Sequence, residues 1–158
     1  MKTEVVPYDP AWKDKYKSES LAIKQKCGDK ILIIEHAGST SVEGLAAKPV
    51  IDIYIGTRSL DDAHSLIEPL TELGYEYYKD FEDILPFRRY FRKFIDGKRS
   101  FHIHATNAGH YFRNIDLMFR DYITVNQTAA REYEALKLKL AEIDFDDPAG
   151  YNHAKDDL

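Results

Sequence analysis

A single cysteine, Cys27, stands among the 158 residues, so an internal disulfide is excluded and a reducing, cytoplasmic setting is expected. No apolar run approaches the roughly 20 residues that cross a bilayer as a helix, and no membrane association is expected. The chain also lacks a positively charged leader followed by an apolar stretch, which argues against secretion. Nor is there an excess of positive charge. A net charge of −5 speaks against general nucleic-acid binding, because that binding draws on many lysine and arginine contacts to phosphate. Two familiar motifs are missing too. Gly38, Gly44 and Lys48 are spaced G-x5-G-x3-K rather than as the G-x4-G-K-[ST] of a nucleotide-binding P-loop. Ser39 lacks the G-x-S-x-G setting of a hydrolase nucleophile. No repeat, linker or low-complexity stretch divides the chain.

What is present is an ordinary globular composition, 44% hydrophobic and 31% charged, enough for one domain over residues 1–158 with one core. Asp9-Pro10 opens a helix with Trp12, Tyr16 and Ile23 on one face and Gly28 as its stop. Ile31-Leu32-Ile33-Ile34 is wholly apolar and predicts a strand over 31–35 buried on both faces. Over 50–56, Ile51, Ile53 and Ile55 alternate with Asp52 and Tyr54, which share the opposite face of a second strand. Ser59 caps a further helix that Pro69 should kink and Gly74 should end. A brief strand near 75–78 and a solvated acidic loop around Asp80, Glu82 and Asp83 follow. Asp96-Gly97 suits the turn of an antiparallel hairpin over 90–105. Helices are expected over 111–123 and after an Asn126 cap, then a turn at Asp144, Asp146 and Asp147 and a helical fragment over 151–158. The architecture is α/β (α+β), a mixed sheet with helices mainly on one face.

The chemistry concentrates where a small-residue loop meets a strand bearing one acid. In the second hairpin strand, Phe101, Ile103 and Ala105 take one face and His102 with His104 the other. If the apolar faces of this strand and of the Asp52 strand cover the same helices, Asp52, Tyr54, His102 and His104 share a face. A lone histidine is more often structural; an i, i+2 pair facing an isolated acid fits metal ligation or acid/base work. The Gly38-Ser39 turn, continued by Thr40 and Ser41, offers N–H groups and hydroxyls to a phosphate. Lys48, extended ahead of Pro49, is placed to neutralise an anion or meet Asp52. Of the basic cluster along the hairpin, part reads as a solvated edge, and Arg92 is assigned to an anionic ligand.

The run HAGSTSVEGLAAKPVIDI, with VVPYDPAW, the HIHA strand, and the FRDYI and AREYEALKLKLA helices, resembles the GrpB family of bacterial proteins, in the same order over nearly the whole chain. The resemblance implies the nucleotidyltransferase fold of the DNA polymerase beta catalytic domain, and relatives that continue a little past Leu158. The superfamily pattern is a Gly-Ser turn, a strand with Asp-x-Asp or Asp-x-Glu, and a third acid on a neighbouring strand. Gly38, Ser39 and Asp52 match it. Tyr54 stands where the second acid belongs, and histidines stand where the third is sought. Two magnesium ions need bridging carboxylates, which one aspartate does not supply. Asp52, His102 and His104 therefore form the expected catalytic and metal set, suited to a single zinc, manganese or iron ion rather than a magnesium pair. Gly38, Ser39, Thr40, Ser41, Lys48, Tyr54 and Arg92 are the expected contacts to a nucleotide or other phosphorylated small molecule. A non-catalytic module binding such a ligand is the alternative.

Overall fold

A computed structural model describes residues 2–143, the side chains of 111–113 excepted. Asp9 Oδ1 accepts from the Ala11 N–H at 2.9 Å and opens α1 (Ala11–Cys27). Gly28, at φ +61°, closes it in a conformation that L side chains resist. The next strand, β1 (Ile33–Ala37), starts two residues later than its apolar run implies. It is an edge strand in the order β1-β2-β5-β4-β3, and Leu32 and Ile33 are 52% and 39% exposed. The expectation of burial on both faces is thus overturned: β1 lies at the sheet edge, and among the described residues no element packs fully over Leu32 and Ile33.

At the centre of the sheet lies β2 (Ile51–Thr57), antiparallel to β1 and parallel to β5 (Lys98–Asn107). The hairpin partner of β5 is β4 (Arg88–Ile95), joined to it through Asp96 at φ +53° and Gly97 at φ +75°. Both central residues have the positive φ of a type I′ turn. A two-residue β3 (Glu76–Tyr77) completes the far edge.

One face of this mixed sheet carries the main core. Ile51, Ile53, Ile55, Phe91, Phe101 and Ile103 pack there with Trp12 and Ile23 of α1. The helix expected after Ser59 is two short pieces, α2 (Leu60–His64) and α3 (Ile67–Glu72). Ser59 Oγ accepts from the Asp62 N–H at 3.1 Å. Pro69 does not kink one continuous helix; lacking an N–H for the Ser65 carbonyl four residues earlier, it leaves the ladder broken ahead of it. Lys30 Nζ lies 3.5 Å from that carbonyl. The acidic loop is not wholly solvated either, since Glu82 is drawn in to pair with Arg89 at 3.3 Å.

Two longer helices follow, α4 (Tyr111–Val125) and α5 (Gln127–Ala141). Asn126 Oδ1 accepts from the Ala129 N–H at 3.0 Å, capping α5. Leu117 of α4 packs on Ala37 and Tyr54, so α4 crosses the face opposite the main core at its β1–β2 corner. In turn, α5 grips the loop between β1 and β2. The Ala46 N–H donates to Glu134 Oε2 at 2.7 Å, the Ala46 carbonyl accepts from buried Lys137, and Val42 and Leu45 pack against Ile123 and Tyr133. The turn expected at Asp144, Asp146 and Asp147 and the fragment at 151–158 lie outside the described residues.

Candidate functional site

Parallel register between β2 and β5 sets Asp52 beside His102 and Tyr54 beside His104. With the isoleucines committed to the main core, these four side chains emerge on the other face. His104 Nε2 stands 3.3 Å from Asp52 Oδ1 and His102 Nδ1 3.5 Å from the same oxygen. Beyond the acid, Ala37 pairs with Asp52 and the chain turns at Gly38, φ +69°. A Cβ there would lie 2.4 Å from Asp52 Oδ2, so the carboxylate is confined between a glycine backbone and two imidazoles. The cleft that these side chains line has a volume of about 1550 Å³ and runs on past the end of the sheet to Trp12, Ile51 and Phe101 of the main core.

Burial alone would push the Asp52 carboxyl upward; the histidine hydrogen bonds outweigh it and hold the group well below the usual carboxylate range. Burial lowers His102. Burial, with the charge of Asp116 close by, pushes the Tyr54 phenol far above its ordinary range. Its hydroxyl donates to Asp116 Oδ2 in a short bond. Tyr54 is thus a neutral donor committed to α4, and β2 offers one anionic group to the cleft.

Arg88 Nη1 lies 3.1 Å from His104 Nδ1. A guanidinium only donates, so Nδ1 is the acceptor and the proton of neutral His104 sits on Nε2, facing Asp52. Of the loop residues, Gly38 and Ser39 line the cleft. Thr40 is 1% exposed and its Oγ1 lies 2.9 Å from His36 Nε2, while Ser41 Oγ donates to the Gly38 carbonyl at 2.6 Å. Those two hydroxyls brace the turn, where the sequence reading assigns them to ligand. Lys48 is half-buried and lines the same cleft. Arg92 lines it two strands from Asp52, its Nε donating to Tyr90 Oη at 3.0 Å.

Sequence reasoning did not assign Arg88 or Asp116 to the site. Asp116 stands four residues before Arg120, which puts both on one face of α4, but the crossing of α4 over the β1–β2 corner, not this spacing, brings that face to the site. Arg120 reaches back to β1, donating to the His36 carbonyl at 3.0 Å.

The donor atoms of Asp52, His102 and His104 lie within 4.8 Å of one another. In a tetrahedral site with bonds of about 2.0–2.1 Å, neighbouring ligand atoms are about 3.3–3.4 Å apart. The 3.3 and 3.5 Å separations from Asp52 Oδ1 match that spacing, so the residues fit one ion of borderline hardness. They do not fit a magnesium pair, which needs carboxylates to bridge it.

This sheet order and its helices define a nucleotidyltransferase-like fold. The chain aligns with the Cid1 poly(U) polymerase over 86% of its own length and 41% of that chain, with a TM-score of 0.53 and 16% identity, a likeness of fold alone. The crystal structure of the conserved protein GrpB from Enterococcus faecalis is far nearer, with a TM-score of 0.82 and 33% identity over 98% of this chain and 96% of that one. The family profile described as GrpB protein matches residues 2–158, and the chain belongs to the GrpB family. It is 34% identical over 156 residues to the YqkA protein of Bacillus subtilis (strain 168), covering 99% of this chain and 45% of that protein. The chain therefore spans less than half the length of that relative.

Proposed function

We propose that the cleft binds a nucleotide or other phosphorylated small molecule, with one zinc, manganese or iron ion held by Asp52, His102 and His104. The observation that carries this reading is the position of the Asp52 carboxylate, pressed against Gly38 on one side and within 3.5 Å of both imidazoles on the other. Charge supports it. The cleft lining includes nine lysines and arginines against six aspartates and glutamates, although the whole chain carries −5. An anionic ligand is drawn to this face against the net charge of the molecule.

In this reading Ser39 and the Gly38-Ser39 backbone hold a phosphate at the mouth, and Lys48 neutralises part of its charge. Asp52 supplies the anionic oxygen of the metal set, and His102 and His104 supply nitrogen donors. The ion, when bound, contributes positive charge to a phosphoryl oxygen. Ligation through His104 Nε2 would require the ring proton that faces Asp52 to move to Nδ1, beside Arg88. Tyr54 favours a second reading, a module that binds without transferring, because its hydroxyl is committed to Asp116 and no second acid stands on β2.

Calorimetric titration with a panel of nucleotides, with and without zinc or manganese and with product detection alongside, tests both readings. Metal-dependent binding that Asp52→Asn abolishes supports the site. Turnover selects transfer chemistry, and tight binding without turnover selects the module. Nucleotide affinity equal in the wild type and Asp52→Asn, with or without metal, would refute the reading.

A further inference from the structure

We propose that Arg92 forms a second anion subsite in the same cleft, and that the ligand accordingly carries two anionic groups. The subsite deepens the phosphorylated-ligand reading and rests on it for the first anionic group. Register places it. Asp52 pairs with His102 and His102 with Arg92 across three adjacent strands, so all three side chains leave the sheet on one face in a single row. Neighbouring strands are about 4.8 Å apart, which puts the Arg92 backbone two strand spacings from that of Asp52.

The guanidinium of Arg92 is held before any ligand arrives. Its central carbon lies 4.5 Å from the Tyr78 ring centroid, 5.2 Å from Tyr90 and 5.5 Å from Phe81. Its Nε donates to Tyr90 Oη at 3.0 Å. The rings and this bond fix the plane of the fork, so little rotamer freedom is left for a ligand to remove. Three other half-buried cations of the hairpin and of α4 pair with carboxylates, Arg89 with Glu82 at 3.3 Å, Lys93 with Glu19 at 2.9 Å, and Arg120 with Glu35 at 3.7 Å, while Arg88 is committed to His104 at 3.1 Å. Among the described residues, no carboxylate pairs with Arg92, and its two terminal amino groups make no hydrogen bond. A planar fork with its inner nitrogen tied and its outer pair unpartnered matches a phosphate or carboxylate in bidentate fashion. Lys98 and Arg99 line the same end of the cleft and add to the positive potential there.

The test has two arms. In the first, the arginine side-chain N–H resonance of Arg92, assigned by its loss in Arg92→Gln, is followed while inorganic phosphate is added. A saturable shift, equally present in Asp52→Asn, is expected; no shift, or a shift no larger than that of exposed Arg58, overturns the subsite. In the second, adenosine 5′-monophosphate and adenosine 3′,5′-bisphosphate are compared by calorimetry. The bisphosphate is expected to bind about tenfold more tightly than the monophosphate to the wild type and to lose that advantage in Arg92→Gln. Arg92→Lys, which keeps the charge without the fork, should retain only part of it and serves if the glutamine variant does not fold. An advantage that survives loss of the guanidinium, or none in the wild type, overturns the two-anion ligand. If neither nucleotide binds, the phosphate titration decides the subsite alone. Failure of the Asp52 site shows separately, as Asp52→Asn leaving the affinity for both nucleotides intact.

Discussion

Gly38 and Asp52 occupy mutually exclusive space: a Cβ on the glycine would stand 2.4 Å from the carboxylate Oδ2, closer than real side-chain carbons approach. The backbone at Gly38, φ +69° and ψ −176°, is also one that L side chains rarely adopt. Gly38→Ala is therefore expected to lower stability by about 1–3 kcal/mol. It should also weaken divalent-metal binding, because the carboxylate must leave the histidines. Denaturant unfolding and a zinc titration of the variant check both effects; a folded variant with wild-type metal affinity would show that the acid need not be held there.

Arg88 keeps His104 in the tautomer whose Nε2 proton faces Asp52. A metal-bound Nε2 must lose that proton, and Nδ1 then needs to carry one, which a donating guanidinium opposes. Arg88→Gln replaces the donor by a side chain that also accepts, and zinc affinity is expected to rise by on the order of tenfold. A fall would mean that Arg88 orients the ring for ligation as it stands.

Tyr54 should be dispensable as a ligand. Burial and Asp116 keep its phenol protonated, and its hydroxyl is spent on α4. Tyr54→Phe is expected to cost about 1 kcal/mol of stability and to leave the number of bound ions unchanged. Loss of metal binding with the fold intact would place the phenol in the coordination set.

The central acid and its histidines were legible in the sequence because a strand has period two, and Asp52, His102 and His104 follow it without interruption. The hairpin was legible for a similar local reason, the Asp96-Gly97 turn. Arg88 and Asp116 were not. Their contacts depend on where β4 aligns with β5 and on how α4 crosses the sheet, and no local pattern encodes either. The displaced start of β1 has another cause: an apolar run records burial of unknown origin, and here, among the described residues, the outer side of Leu32 and Ile33 faces no partner strand. The separate α2 and α3 follow from one missing N–H at Pro69, which is visible in sequence but is as compatible with a kink as with a break.

His36 predicts an acid dependence of stability. Burial lowers its pKa from 6.5 to about 4 while its ring stacks on Tyr16 and meets Thr40. As pH falls below 6.5, the unfolded chain binds a proton at this residue that the folded chain refuses. Stability is full above that pH and declines as pH drops toward about 4. His102, lowered by burial in the same direction, adds to the slope. Asp52 acts in the opposite ionic sense but with the same outcome lower down: its depressed carboxyl contributes stability above the ordinary carboxylate pKa and loses it on further acidification. Urea midpoints between pH 4.5 and 7 should fall with acid in the wild type and fall less steeply in His36→Phe. Equal slopes would remove His36 from the explanation.

The most direct measurement is the stoichiometry of divalent-metal binding by the metal-free protein, with Asp52→Asn and His104→Ala titrated in parallel. One zinc or manganese ion per chain is expected, bound through nitrogen donors and lost in both variants, with no paired magnesium. Two magnesium ions per chain, or zinc binding indifferent to both substitutions, would contradict it.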